Sequence, residues 1–115
     1  MVNLDFMYDS EGDTLYISFT KDRKGTTLSL NDYVVLIFDI ATGQVKGLTI
    51  MNYLYLVQNN LPLPLTRLDE FPPDARSVVW NILNNPPVNK YLRLEKPLSV
   101  TLVEQFILSD LLLAA

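Results

Sequence analysis

The stretch that decides the fold of this chain lies near its start and reads YDSEGDTLYI, residues 8–17. It contains a polar turn with a glycine between two runs of strand-forming residues, a pattern typical of a β-hairpin. From Thr14 to Thr20 apolar and polar residues alternate, which would place Leu15, Ile17 and Phe19 on one face of a strand. We expect Gly12 to take the positive φ that a short hairpin loop requires.

Further strand signals follow this hairpin. YVVLIFD, residues 33–39, is apolar at consecutive positions, which is typical of a strand covered on both faces. In ATGQVKGLTI, residues 41–50, we expect Gly43 to be left-handed in a turn, and Gly47 indicates a bulge or the close approach of another element. KDRKG, residues 21–25, predicts a solvated charged turn. Together with a first strand from Leu4 to Tyr8, these segments predict a four-stranded antiparallel β-meander over residues 4–53.

The second half of the chain has a different composition, because all seven prolines lie between Pro62 and Pro97. LPLPL, residues 61–65, predicts an extended crossing, since each proline removes a hydrogen-bond donor. Apolar residues at helical spacing up to Leu83 predict a helix with Asp74 as its N-cap. Residues 88–95 predict a short strand.

The C-terminal segment predicts a second helix. TLVE, residues 101–104, matches a capping box, and an apolar stripe continues to Leu113. We therefore expect an α+β fold in a single domain, residues 1–115, in which two C-terminal helices pack on one face of the meander. Within it, residues 4–53 form the β-module and residues 61–115 form the Pro-rich crossing and the helices.

The composition excludes several classes of function. Nine basic and thirteen acidic residues give a net charge of -4 without a basic stripe, which argues against nucleic-acid binding. The absence of Cys and His removes thiol and imidazole chemistry and disulfides. We expect no cofactor. We expect a cytoplasmic protein, because the N-terminus lacks a leader pattern. No apolar run reaches the ~20 residues that cross a membrane.

Acidic residues form the one candidate site. In an up-and-down meander the first and third turns share an edge of the sheet, which would bring Asp9, Glu11 and Asp13 close to Asp39. Four carboxylates could bind a hard cation through oxygen ligands, although their spacing does not match an EF-hand loop. Asp is also the residue that ordinary turns prefer, and the turn interpretation is favoured. No catalytic residue is assigned.

Two spaced motifs stand in the first half of the chain. The first consists of Tyr8, Asp9, Asp13, Leu15, Tyr16 and Ile17, and the second of Asp39, Gly43, Gly47, Leu48 and Ile50. Through these positions the first half resembles a small bacterial family catalogued as the domain of unknown function 2283. The resemblance covers about residues 4–53, and Thr49 stands where members of that family tend to have an acidic residue. It implies a β-rich module without an assigned activity.

Hydrophobic residues make up 49% of the chain, which favours burial of apolar surface against another copy. The sequence thus predicts a small, non-catalytic, self-associating interaction protein, a homodimer. One alternative is a metal-dependent enzyme that uses Asp9, Asp13 and Asp39. A second is an antitoxin-like partner of a neighbouring gene product. We expect Trp80 to be buried in the core or in an interface.

Overall fold

The computed structural model describes residues 5–22, 24–59, 63–95 and 99–102. Its larger sheet is antiparallel and has five strands in the order β1-β2-β5-β4-β3. These strands are β1 (Asp5–Asp9), β2 (Thr14–Ser18), β3 (Thr26–Ser29), β4 (Val34–Phe38) and β5 (Val45–Met51). The α-helices and the remaining strands are α1 (Tyr53–Asn59), β6 (Leu63–Pro64), α2 (Pro73–Leu83), β7 (Leu92–Glu95) and β8 (Ser99–Leu102), and two short 3-10 helices span Leu68–Glu70 and Val88–Lys90. The α+β class, with an antiparallel sheet, is confirmed.

The predicted four-stranded meander is wrong in strand number and in strand order. The segment from Thr26 to Ser29 forms an additional edge strand, which pairs with β4. It was missed because Leu28 is its single apolar residue. The extra strand reverses the chain once more, and β5 then lies between β2 and β4 instead of at an edge.

One face of the large sheet is buried beneath the second half of the chain. Leu15, Ile17 and Phe19 are buried on this inward face, as the alternation predicted. Val35 and Ile37 on the opposite face of β4 are only half-buried. The strand β4 is therefore fully covered on its inward face only, and not on both faces as predicted. The buried cluster continues into the second half of the chain through Leu56, Val57, Leu63, Leu65, Val79, Ile82, Leu83 and Tyr91.

The two described α-helices differ from the prediction, one in its existence and one in its first residue. The helix α1 was not predicted, although Tyr53, Leu56 and Val57 are buried at the i, i+3, i+4 spacing of a helix. The helix α2 begins at Pro73, whose ring holds the φ of a first helical residue, and Asp74 lies in its first turn rather than at the N-cap.

The second half of the chain is attached to the large sheet through Asn31. Its Nδ2 donates to the carbonyl oxygen of Pro64 at 3.1 Å, while its Oδ1 accepts from the backbone N–H groups of Tyr33 and Val34. Leu63 and Pro64 form the two-residue strand β6, so the proline-rich stretch is extended where it is described. β6, β8 and β7 form a second antiparallel sheet in that order.

The predicted C-terminal helix is only partly covered by the described residues. Thr101 and Leu102, where its capping box begins, belong to strand β8. Residues 103–115 lie outside the described part of the chain, so the helix stays a prediction there. Within the described part, no helix has the length and apolar character needed to cross a membrane.

The glycine predictions are confirmed at two of three positions. Gly43 has φ +77°, as a left-handed turn residue requires. At Gly47 a Cβ atom would lie 3.3 Å from the carbonyl oxygen of Ile17, and the pairing register shifts beside it, between Ile37 and Phe38. Gly12 does not have a positive φ; Asp13 does, at 49°.

Candidate functional site

The four predicted acidic residues do not share one edge of the sheet. Asp9 pairs with Thr14 and Thr14 with Met51, which places the first turn at the C-terminal end of β5. Asp39 follows Phe38, which pairs with Val45 at the other end of β5. At ~3.3 Å per residue, the length of β5 separates these two ends by roughly 20 Å. The additional strand β3 explains the error, because it reverses the chain before β4.

Asp13 caps the helix α1. Its Oδ1 accepts from the backbone N–H of Leu54 at 2.9 Å, its Oδ2 from that of Tyr55 at 3.4 Å, and its carbonyl oxygen from that of Tyr53 at 2.9 Å. These N–H groups belong to the first turn of α1, where no intrahelical acceptor is available. Asp13 therefore satisfies the helix start from a position far back in the sequence.

Tyr8 hydrogen-bonds to the same carboxylate. Its hydroxyl donates to Oδ1 of Asp13 at 2.6 Å, and its ring lies edge-on to that of Tyr53. Burial, the hydrogen bond to Asp13 and the negative charges of Asp13 and Asp9 raise the pKa of Tyr8 to about 12. The first hairpin and α1 are thus joined through one carboxylate.

The other acidic candidates hold turns. Oδ1 of Asp9 accepts from the backbone N–H of Glu11 at 3.1 Å, and Oδ1 of Asp39 accepts from those of Ala41 and Thr42 at 2.9 and 3.4 Å. These are the local bonds for which turns select Asp. Across the described residues, no group of three or more acidic side chains is placed to hold a metal ion. Cation binding by any of these residues stays an untested alternative to the turn interpretation.

A buried charge that the sequence did not reveal lies in β5. Lys46 is 7% exposed, and its Nζ lies 3.0 Å from Oδ2 of the exposed Asp22. The backbone N–H of Lys24 and the Lys46 ammonium hold the pKa of Asp22 below its ordinary value. The local signal was Gly47, which follows Lys46 and had indicated a bulge or a close approach; Lys46 itself is the residue that the register leaves unpaired. The ion pair ties the loop after β2 to the middle of the sheet.

The outward face of the large sheet carries a row of side chains that crosses the strands. Met7 pairs with Tyr16, Tyr16 with Thr49, and Thr49 with Val35. Ile37 lies on the same face of β4, two residues beyond Val35. Met7 is 58% exposed and the other four are half-buried. We call these five side chains the outward face.

Two aromatic residues on helices are also exposed. Trp80 on α2 is 43% exposed, so the part of its prediction that allowed burial in the core is wrong. Tyr55 on α1 is 55% exposed. Neither residue lies on a strand of the sheet. Both lie after residue 53, where the family-like segment ends.

Comparison with curated proteins found no match, and comparison with solved structures found none either. The comparison with protein families did find one, over the segment that contains the Tyr8–Asp13 pair and the outward face. Residues 6–53 match the model of the family described as Protein of unknown function (DUF2283), which confirms the resemblance over that segment.

Proposed function

We propose that this protein is a small, non-catalytic interaction protein that forms a homodimer through its outward face. The observation that carries the proposal is the row from Met7 through Tyr16 to Val35, which exposes apolar side chains across the large sheet. Among the described residues, no Lys or Arg occupies a paired strand position on this side of the sheet. Surface with exposed apolar side chains and few charges is typical of interfaces between copies of a chain.

The size of the face supports a weak dimer. Five strands spaced ~4.8 Å apart, each with about five residues at ~3.3 Å, make a face of roughly 20 by 16 Å. Standard interfaces bury ~800 Å² on each partner, so the face with its side chains supplies about half of that area and adjoining loops supply the rest. We expect a dissociation constant in the micromolar range.

The charges on the face favour one arrangement of the two copies. Asp5 and Asp9 flank Met7 on β1, whereas β3 presents Thr27 and Ser29 on the same side. A two-fold axis parallel to the strands sets β1 of one copy opposite β3 of the other. The carboxylates then meet hydroxyl groups rather than each other.

Analytical ultracentrifugation of the wild type and of matched variants tests this proposal. The wild type should change from dimer to monomer on dilution. Val35→Glu and Met7→Glu should each weaken association at least about ten-fold, since burying an unpaired charge costs more than one hydrogen bond. Ile40→Glu is the control, because Ile40 is 45% exposed but lies in the turn at the end of the sheet.

Two results would contradict the proposal. One is a wild-type mass that stays near 13.1 kDa at every concentration. The other is an equal loss of association in Ile40→Glu and Val35→Glu. Circular dichroism of each variant separates weakened association from lost folding.

The alternatives have less support. A metal-dependent enzyme would need Asp9, Asp13 and Asp39 together, yet Asp39 lies at the other end of the sheet and Asp13 accepts three hydrogen bonds. An antitoxin-like partner of a neighbouring gene product would use the same outward face, and a stable monomer would favour it. The lack of Cys in the sequence supports a cytoplasmic location, and the family resemblance supports a bacterial source.

A further inference from the structure

A cavity of about 390 Å³ lies where one end of the large sheet meets the C-terminal end of α2. Its buried lining is apolar and comes from Phe19, Val45 and Ile82. Small-molecule sites in proteins commonly have volumes of ~300 to 1,000 Å³ and a mostly apolar lining, so this cavity falls within their range. Because Phe19 and Val45 belong to the inward side of the sheet, the cavity is separate from the outward face.

The exposed part of the lining carries three carboxamides, those of Gln44, Asn81 and Asn85. Nδ2 of Asn85 donates to the carbonyl oxygen and to Oδ1 of Asn81, at 2.6 and 3.1 Å. Within the described part of the chain, no other hydrogen bond engages Nδ2 of Asn81, Oδ1 of Asn85 or the side-chain amide of Gln44. Donors and acceptors therefore remain beside the apolar lining.

Among the residues that the structure describes, none of those lining the cavity is charged. Lys46 follows Val45 in the chain, but its ammonium is paired with Asp22 at 3.0 Å. A charged ligand would lose hydration in this cavity without gaining a counter-charge from the described lining. The lining therefore selects for neutral molecules.

We propose that this cavity binds an uncharged amide that carries one apolar side chain. The apolar side chain contacts Phe19, Val45 and Ile82. The amide exchanges hydrogen bonds with the carboxamide of Gln44, which offers a donor and an acceptor, and its carbonyl oxygen accepts from Nδ2 of Asn81. Half of the residues that line the cavity belong to residues 81–87, which lie outside the segment that matches the family model. The site therefore requires both halves of the chain.

Titration with three leucine derivatives that share the apolar side chain but differ in charge tests the proposal. N-acetyl-leucinamide is neutral, N-acetyl-leucine is an anion and leucinamide is a cation. In amide-resolved NMR spectra the neutral probe should move the resonances of Thr20, Gly43, Gln44, Val45 and Asn85, with a dissociation constant on the order of millimolar, as suits so small a ligand. Each charged probe should bind at least about ten-fold more weakly.

Variants of the lining supply the second arm of the test. Gln44→Ala and Asn81→Ala should each weaken binding of N-acetyl-leucinamide about three- to ten-fold, the loss of one hydrogen bond. Asn84→Ala is the matched control, because Asn84 is exposed at the end of α2 but does not line the cavity. Absence of shifts at tens of millimolar probe, equal binding of all three probes, or an equal effect of Asn84→Ala and Asn81→Ala would each overturn the proposal.

Discussion

The hydroxyl of Tyr8 and the backbone N–H of Leu54 donate to the same oxygen, Oδ1 of Asp13, at 2.6 and 2.9 Å. Tyr8 and Asp13 stand on either side of the first hairpin turn, whereas Leu54 lies 41 residues after Asp13. The carboxylate therefore joins the hairpin to the helix that follows the sheet. The spacing of Tyr8 and Asp13, which forms part of the family-like motif, has a structural explanation in this junction.

Removal of the Asp13 carboxylate should destabilise the fold. Asp13→Ala leaves two N–H groups of α1 and the Tyr8 hydroxyl without their acceptor, and it places Ala at φ 49°. We expect the free energy of unfolding to fall by about 2 to 4 kcal/mol, measured by urea denaturation. Asp13→Asn keeps an acceptor and tolerates the left-handed φ, so it should lose less. Equal stability of the alanine variant and the wild type would show that the cap contributes nothing.

The Tyr8 hydroxyl should make stability depend on pH in the alkaline range. Its pKa is raised from 10.0 to about 12 in the folded chain, so the folded state holds this proton more tightly than the unfolded state. The contribution is complete below pH 10 and is lost as pH rises through about 12. Tyr8→Phe should reduce the fall in stability between these values, and Tyr55→Phe, at an exposed position, should not. Identical pH profiles for the wild type and Tyr8→Phe would contradict this assignment.

Substitution of Gly43 should destabilise the fold through its backbone conformation alone. It has φ +77°, and a Cβ atom there would meet nothing within 4 Å. Gly43→Val should therefore lower the free energy of unfolding by about 1 to 2 kcal/mol through backbone strain. Gly43→Asn should cost less, since Asn tolerates this conformation. A melting temperature unchanged in Gly43→Val would remove the argument.

The stability of the fold should depend on the ion pair between the buried Lys46 and the exposed Asp22. Asp22→Asn leaves the charge of Lys46 in the sheet without a carboxylate, which is expected to destabilise the fold. Lys46→Met removes the charge itself, and combining it with Asp22→Asn should restore part of the stability lost in Asp22→Asn. Thermal unfolding of the two single variants and the double variant gives the coupling between the residues. Strictly additive losses would show that the pair is not coupled.

The acidic turns should not bind divalent cations tightly, because Asp9 and Asp39 hold their own turns and Asp13 caps α1. Calorimetric titration with calcium, magnesium and manganese should show no saturable binding at micromolar ion. A one-site isotherm that disappears in Asp13→Asn would instead support the metal-dependent enzyme.

Local sequence determined the elements whose signals are complete within a few residues. The hairpin of residues 8–17, the alternation of Leu15 and Ile17, the left-handed turn at Gly43 and the body of α2 all follow from turn chemistry and periodicity. These features depend on the φ preference of single residues and on which side chains share a face. Both can be predicted from neighbouring residues in the sequence.

Tertiary structure decided what depends on partners far apart in the chain. Strand signals do not state which strands pair, so the place of β5 between β2 and β4, and with it the distance of Asp39 from Asp13, follows only from the folded sheet. The start of α1 needed an acceptor 41 residues earlier, and the exposure of Trp80 depended on which side of α2 met the sheet. In each case the deciding energy is a contact between distant segments, for which a local pattern carries no signal.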